Sequence, residues 1–261
     1  MISQYHLFKR YEQTHIYKNT MESVATASTH PMLFDFDGVI LRNSVIQKIV
    51  ETKAAKYVEK KLKLSSNNGV NLNKILYTHY GHTALGVAKL LEVDYKHIVQ
   101  EFNDIVYKDF RYEFLMKEHL NFDDYERVHN LNNGLDIIKA EGLQDVYTCG
   151  LYTNAPMEWC ENTLAFMGYD VYDLFDKNQC FTSDNGYLKP HKDSYTFVEN
   201  RQEEMGWTPE LSPPIHFIDD SLKNLLPVMN NDNWKITWMS EDEPTVLHSL
   251  IEKEIHKTTN V

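Results

Sequence analysis

The run Met32-Leu33-Phe34 is apolar and ends abruptly in Asp35, Asp37 and Gly38, which predicts a short buried strand opening into a loop. The period then changes. Ile46, Ile49, Val50, Ala54, Tyr57, Val58 and Leu62 recur at steps of three and four, predicting a helix that the polar stretch Ser65 to Gly69 should end. A second helical stretch is predicted over about Asn73 to Leu91. A third starts after Asp94, a suitable N-cap, with Ile98, Val99, Phe102, Ile105 and Val106 on one side.

After Asn132-Asn133-Gly134 strands and helices alternate again. Val146 to Tyr152 reads as a strand, Pro156 to Met167 as a helix stopped by Gly168, Ile215 to Ile218 as a strand ending in Asp219-Asp220, and Trp234 to Met239 as another. A last helix is expected behind Asp242 and Pro244, with Val246, Leu247, Leu250, Ile251 and Ile255 on one face. Strands separated by helices pair in parallel, so the fold class expected is α/β, a Rossmann-like doubly wound sheet. The helical stretch interrupts that alternation and reads as an insert. The expected organisation is a polar arm over 1–30, a core over 31–42 and 132–261, and a helical cap over 43–131.

Composition narrows the function classes. The 261 residues are 42% apolar and 25% charged, an ordinary globular mixture able to build a core without staples. Nothing approaches the roughly 18 consecutive apolar residues of a membrane span. Lys and Arg number 26 against 38 Asp and Glu, for a net charge of −12, and such a surface repels polyanions, so no nucleic-acid polymer is expected as a partner. Three cysteines, Cys149, Cys160 and Cys180, lack the spacing of a disulfide scaffold or zinc ribbon and fit a reducing compartment. The arm has no secretory h-region. It reads as a flexible arm or a surface helix in a cytoplasmic protein, with organellar import as the alternative.

Ligands of open parallel sheets collect at the carboxyl ends of the strands. There the sequence places Asp35 and Asp37, then Thr153 and Asn154, then Asp219 and Asp220, with Lys189 in the turn Gly186 to Pro190. Each has an ordinary reading as well: a turn signal, a helix cap, a solvated loop lysine. Their order along the chain is what sets them apart. A carboxylate nucleophile and a phosphate dianion repel each other, and four aspartates against one lysine leave −3 before substrate arrives, so the set calls for a divalent cation. All-oxygen ligands beside a phosphate suit Mg2+. Residues two apart on an extended strand face the same way, which lets Asp35 and Asp37 address one phosphate, and Thr153 lies just ahead of a helix start.

Phe34-Asp35-Phe36-Asp37-Gly38-Val39, Tyr152-Thr153-Asn154, Lys189-Pro190 and Phe217-Ile218-Asp219-Asp220-Ser221 with Asn224 resemble the four ordered motifs of the haloacid dehalogenase (HAD) superfamily, over about residues 32 to 240. Within it, Tyr80-Gly81-His82-Thr83-Ala84-Leu85-Gly86 and Asn224-Leu225 are most similar to the pyrimidine 5′-nucleotidase-like branch. Gly38-Val39 departs from the Asn-Thr common there and is shared with sugar-phosphate members such as phosphoglucomutases. The resemblance implies that Asp35 is the nucleophile, that Asp37 is the acid and then the base, and that Thr153, Asn154 and Lys189 bind phosphate. It also implies that Asp35, the Asp37 main-chain carbonyl, Asp220 and, directly or through water, Asp219 hold Mg2+. Members that cleave carbon–halogen bonds lack the second aspartate, because a halide leaves without a proton; Asp37 therefore points to phosphate esters.

The function expected is hydrolysis of a small phosphate monoester through an aspartyl-phosphate, with a nucleoside monophosphate as the first candidate substrate. A sugar-phosphate phosphatase or mutase is the alternative, and an inactive phospho-ligand binding module a third reading. Tyr80 and His82 in the insert are candidate substrate contacts. His79 and His82 have no spacing for zinc. The cluster Tyr107, Phe110, Tyr112 and Phe114 reads as cap packing, and Cys149 as a core residue.

Overall fold

Alternation along the first strand sorts its side chains into two separate cores. In β1 (His30–Phe34), Met32 and Phe34 join one apolar cluster and Leu33 joins the other. The same division repeats in β2 (Tyr147–Tyr152), where Cys149 and Leu151 face one way and Tyr152 the other, and in β4 (Ile215–Asp219), where Ile218 and Phe217 part. Both faces of the sheet are therefore covered. The computed structural model describes residues 30–42, 44–108 and 143–239, apart from the side chains of 44, 45, 144 and 145. The arm up to residue 29, the helix expected behind Asp242, the boundary near 131–134, and Phe110, Tyr112 and Phe114 lie outside the described residues.

Among the described residues five strands form one parallel sheet in the order β3-β2-β1-β4-β5, where β3 is Cys180–Phe181 and β5 is Trp234–Trp238. The chain builds outward from β1 through β2 to β3 and then returns to the other side of β1. That reversal opens a crevice at the carboxyl ends of the central strands. Phe34 is level with both Leu151 and Ile218, and Asp35 N–H extends the ladder to the Ile218 carbonyl at 2.8 Å, so Asp35, Tyr152 and Asp219 emerge at one height.

Between β1 and β2 the described residues form α1 (Ser44–Leu62), α2 (Ser66–Tyr80), α3 (Thr83–Leu91), α4 (Tyr95–Val106) and the short α5 (Leu143–Val146). Asp94 caps α4 by accepting from Lys96 N–H at 2.9 Å. Two expectations are corrected here. The break after the first helix is shorter and earlier than Ser65 to Gly69: α1 ends at Leu62 and α2 already begins at Ser66, so Gly69 lies inside a helix and is a contact point. A Cβ there would stand 2.9 Å from Glu59 Cβ and 3.1 Å from the Ala55 carbonyl, so the glycine lets α1 and α2 close on each other. The stretch Asn73 to Leu91 is two helices, separated where Gly81 adopts a φ of 76°. Ile105 also departs from its expected burial; it sits at the edge of the buried arc and is 41% exposed, while Asn103 is taken inside.

Beyond β2, α6 (Met157–Met167) ends at Gly168 in the left-handed region, followed by α7 (Val171–Leu174). Next come β3, α8 (Lys192–Glu204), β4 and α9 (Leu222–Leu225). The insert touches the core loop 183–191 at several points: Asn103 Nδ2 donates to Ser183 Oγ at 2.8 Å, Lys96 Nζ lies 4.3 Å from the Tyr187 ring centre, and Tyr95 and His191 rings are 5.4 Å apart. Among the described residues no helix is long and apolar enough to cross a membrane.

Candidate active site

At the head of β1 the Asp35 carboxylate is fixed through one oxygen. Its Oδ1 accepts from Phe36 N–H at 2.7 Å and faces Lys189 Nζ at 3.2 Å, so Oδ2 keeps its lone pairs. Lys189 itself is 0% exposed, and its ammonium donates to Asp219 Oδ2 and to the Tyr152 carbonyl, each at 2.6 Å. The rings of Tyr152 and Phe217 flank it at 5.1 and 4.9 Å. Burial disfavours a charged ammonium, but Asp219 and Asp35 outweigh it, and the Lys189 pKa ends above its ordinary value. Asp219 spends both oxygens on this arrangement: Oδ1 accepts from Ser221 N–H at 2.7 Å and from Asn224 Nδ2 at 3.1 Å, and Oδ2 from Asn224 Nδ2 at 3.0 Å and from Lys189. It is the counter-ion that keeps Lys189 charged in the interior.

Asp37 follows in a tight loop, where Ile40 and Leu41 N–H both return to the Phe36 carbonyl and Gly38 N–H to Leu41. Its carboxylate accepts from the Trp159 indole Nε1–H on α6 at 3.1 Å. Burial pushes the Asp37 pKa up to about 6, against the pull of the indole. Gly38 has φ 95°, and a Cβ on it would lie 2.1 Å from Asp220 Oδ2; the loop needs glycine both for its conformation and for the space that Asp220 fills. Arg42 Nε closes the loop onto the Gly38 carbonyl at 2.9 Å. Burial and then Asp219 push Asp220 up to about 6, with Lys189 and Arg42 among the groups pulling it back. Asp35 is raised well above the carboxylate range by burial first and then by Asp219.

The remaining sequence candidates divide. Thr153 is buried at the end of β2 and accepts from Ala155 N–H at 3.1 Å through its hydroxyl oxygen, leaving the O–H to donate. Asn154 grips the backbone of Lys189 from both ends of its amide, Oδ1 accepting from Lys189 N–H at 2.8 Å and Nδ2 donating to the Lys189 carbonyl at 2.9 Å. Its contacts thus position Lys189. His82 is 5% exposed, caps α3 by accepting from Ala84 N–H at Nδ1 (3.1 Å), and is pushed down to about 4 by burial. It belongs to the insert's own packing. Tyr80 is exposed and lines a pocket of about 370 Å³ with Tyr95, Lys89, Pro190 and His191. Sequence reasoning missed Trp159, which carries no motif signal, and Tyr77. The latter is 56% exposed; its phenol is pushed up by desolvation and then by Asp220, Asp35, Asp219 and Asp37, so it fronts the carboxylates from α2.

Carboxylate oxygens of Asp35, Asp219 and Asp220 lie within 4.8 Å of one another. With Asp219 committed to Lys189 and Asn224, the oxygens left over belong chiefly to Asp35 and Asp220. Two carboxylates, with water and phosphate completing the shell, match the needs of Mg2+. Burial first, and then the neighbouring carboxylates, raise Asp35 and Asp220, so a cation seated between them would offset both effects.

No family profile matches the chain, and no curated protein sequence does. Solved structures with a similar course include a HAD phosphatase from Thermococcus onnurineus (18% identity, TM-score 0.43, 82% of this chain and 87% of the other). Another is a HAD-family enzyme from Bacteroides thetaiotaomicron in complex with magnesium and inorganic phosphate (17%, 0.37, 80% and 93%). A third is L-2-haloacid dehalogenase from Xanthobacter autotrophicus (16%, 0.43, 85% and 83%).

Proposed function

We propose that this chain is a HAD-type, magnesium-dependent phosphatase that hydrolyses small phosphate monoesters through an aspartyl-phosphate on Asp35. The observation that carries the reading is the pairing of two carboxylates with separate tethers: Asp35, held by Lys189 and Phe36 N–H, and Asp37, held by Trp159 with a pKa near the working range of an acid–base group. Asp35 Oδ2 attacks phosphorus as the ester P–O bond breaks, and the departing oxygen takes the proton of Asp37. Water then attacks the same phosphorus, Asp37 takes its proton, and inorganic phosphate leaves with Asp35 restored. Thr153 O–H donates to a phosphate oxygen, and Lys189 holds Asp35 in register. Asp35, the Asp37 main-chain carbonyl and Asp220 would hold the magnesium ion, which supplies the positive charge that lets an anion approach a dianion.

A nucleoside monophosphate is the substrate we favour, with Tyr77, which senses the carboxylates, and Tyr80, in the neighbouring pocket, as candidate contacts for the leaving portion. The alternative, a sugar-phosphate phosphatase or phosphoglucomutase-like enzyme, rests on the Gly38-Val39 pair. Three free cysteines, Cys149 and Cys160 among them buried, are in keeping with a cytoplasmic enzyme.

The test is turnover of an aryl phosphate and of a panel of nucleotides and sugar phosphates with magnesium. Asp35→Asn should lower kcat by about 10³-fold or more, and excess chelator should silence the wild type reversibly. A folded Asp35→Asn protein within about tenfold of wild type would remove Asp35 from the nucleophile's role.

A further inference from the structure

Trp159 is almost wholly buried on α6, between the catalytic loop and the helical insert. On one side its indole N–H donates to Asp37 Oδ1 at 3.1 Å. On the other lies the ring of Tyr107, the residue that closes α4 of the insert, 5.4 Å away between centres and tilted by 56°. Tyr107 is backed in turn by Phe102 at 6.2 Å, inside the insert's own core. A packed path thus runs from the insert through two aromatic rings to the carboxylate of Asp37.

Resting on the phosphatase reading above, we propose that Trp159 is a positioning residue that aims Asp37 at the leaving oxygen, and that Tyr107 makes this aim depend on the seating of the helical insert. The chemistry of the contact supports the assignment. Indole nitrogen is a donor and never an acceptor, so it can hold a lone pair of Asp37 Oδ1 but cannot take the acid's proton. One lone pair of Oδ1 is thereby occupied, which favours the transferable proton on Oδ2. An aspartate beside Asp35 and Asp220 would otherwise swing away from its like-charged neighbours; one N–H bond to a ring that is itself clamped removes that freedom. The device matters where the leaving group needs a proton. Aliphatic alcohol oxygens, such as sugar or nucleoside hydroxyls, leave poorly as alkoxides, whereas a dinitrophenolate leaves unaided. The site is therefore built for esters of aliphatic alcohols.

The experiment measures kcat/KM for glycerol 2-phosphate and for 2,4-dinitrophenyl phosphate. This ratio reports the steps up to leaving-group departure and is blind to the later hydrolysis common to both esters. Trp159→Phe keeps the ring against Tyr107 and removes the N–H. It should lower kcat/KM for glycerol 2-phosphate at least about tenfold more than for the dinitrophenyl ester, with Asp37→Asn showing the same asymmetry in larger measure. Tyr107→Leu should reproduce it in smaller measure. Equal proportional losses on the two esters, or none on glycerol 2-phosphate, would overturn the proposal. An independent measurement covers the case in which Trp159→Phe does not fold: of the four tryptophan indole N–H resonances, that of Trp159 should move in Asp37→Ala, and four unmoved resonances would also overturn it. If instead the wild type turns over neither ester, the phosphatase reading fails, and if Asp35→Asn retains turnover the nucleophile's role of Asp35 fails, whatever the Trp159 result.

Discussion

Single residues in this cleft are constrained from several directions at once, and Gly38 shows how tightly. Its φ of 95° is uncomfortable for any residue with a side chain, and a Cβ would meet Asp220 Oδ2 at 2.1 Å. Gly38→Ala should therefore carry strain of about 1–3 kcal/mol and, separately, displace the Asp220 carboxylate. The expected outcome is a folded protein with kcat reduced about 100-fold and a raised magnesium half-saturation. Magnesium titration of activity beside a thermal melt checks it; wild-type magnesium dependence would mean that Asp220 does not need the space. Of these residues the sequence pointed to Asp35, Asp37, Asp219 and Asp220, because acidic residues at strand ends stand out against apolar runs, and to Lys189 as the cation in the turn between them. It did not show Trp159, since an aromatic residue at helical spacing reads as core, and Trp159 is core on every side but one. Nor did it show that Asn154 clamps the Lys189 backbone, a contact across 35 residues that no local pattern encodes.

At the scale of elements, the central strands were legible because each is a short apolar run ending in a polar turn. β3 was not, for two residues carry no period. The insert's helices were legible in number only roughly: Gly69 and Gly81 are alike as letters, yet one is a helix–helix contact and the other a helix end. The Gly81 corner has a consequence for acid stability. His82 caps α3 through neutral Nδ1, packs against Phe102 at 5.0 Å between ring centres, and is pushed down to about 4 by burial, against an unfolded value of about 6.5. A folded pKa below the unfolded one means that the unfolded chain binds the proton more readily. The stability His82 contributes is thus complete above about pH 6.5 and is lost as pH falls toward 4, amounting to about 2–4 kcal/mol. His82→Asn keeps a good N-cap without a titrating group. Urea midpoints from pH 7.5 to 4.5 should fall less steeply for His82→Asn than for wild type, and parallel curves would exclude His82 as the source.

For the whole molecule, the sheet order sets the electrostatic problem that the fold must live with. By returning the chain to the far side of β1, the order β3-β2-β1-β4-β5 brings Asp35 and Asp37 from one strand beside Asp219 and Asp220 from another. Lys189 arrives from the loop between, and Arg42 adds a second cation at the edge. The carboxylates still outnumber the cations, and burial together with this mutual repulsion raises the pKa values of Asp35, Asp37 and Asp220. Such a cleft opposes folding until a counter-charge enters, so a cation that binds only the folded chain must stabilise it by mass action. At a hundredfold excess over its Kd, magnesium should contribute about 2.7 kcal/mol, a rise in Tm of roughly 5 to 10 °C for a chain of this size. Sodium chloride at matched ionic strength should do much less, because buried charges are poorly screened. Asp220→Asn removes one of the repelling carboxylates together with a ligand, so its Tm without magnesium should equal or exceed that of wild type, while its response to magnesium should largely vanish. Thermal melts of the two proteins with and without the ion separate the effects. An equal magnesium response in both would place the cation elsewhere than between Asp35 and Asp220.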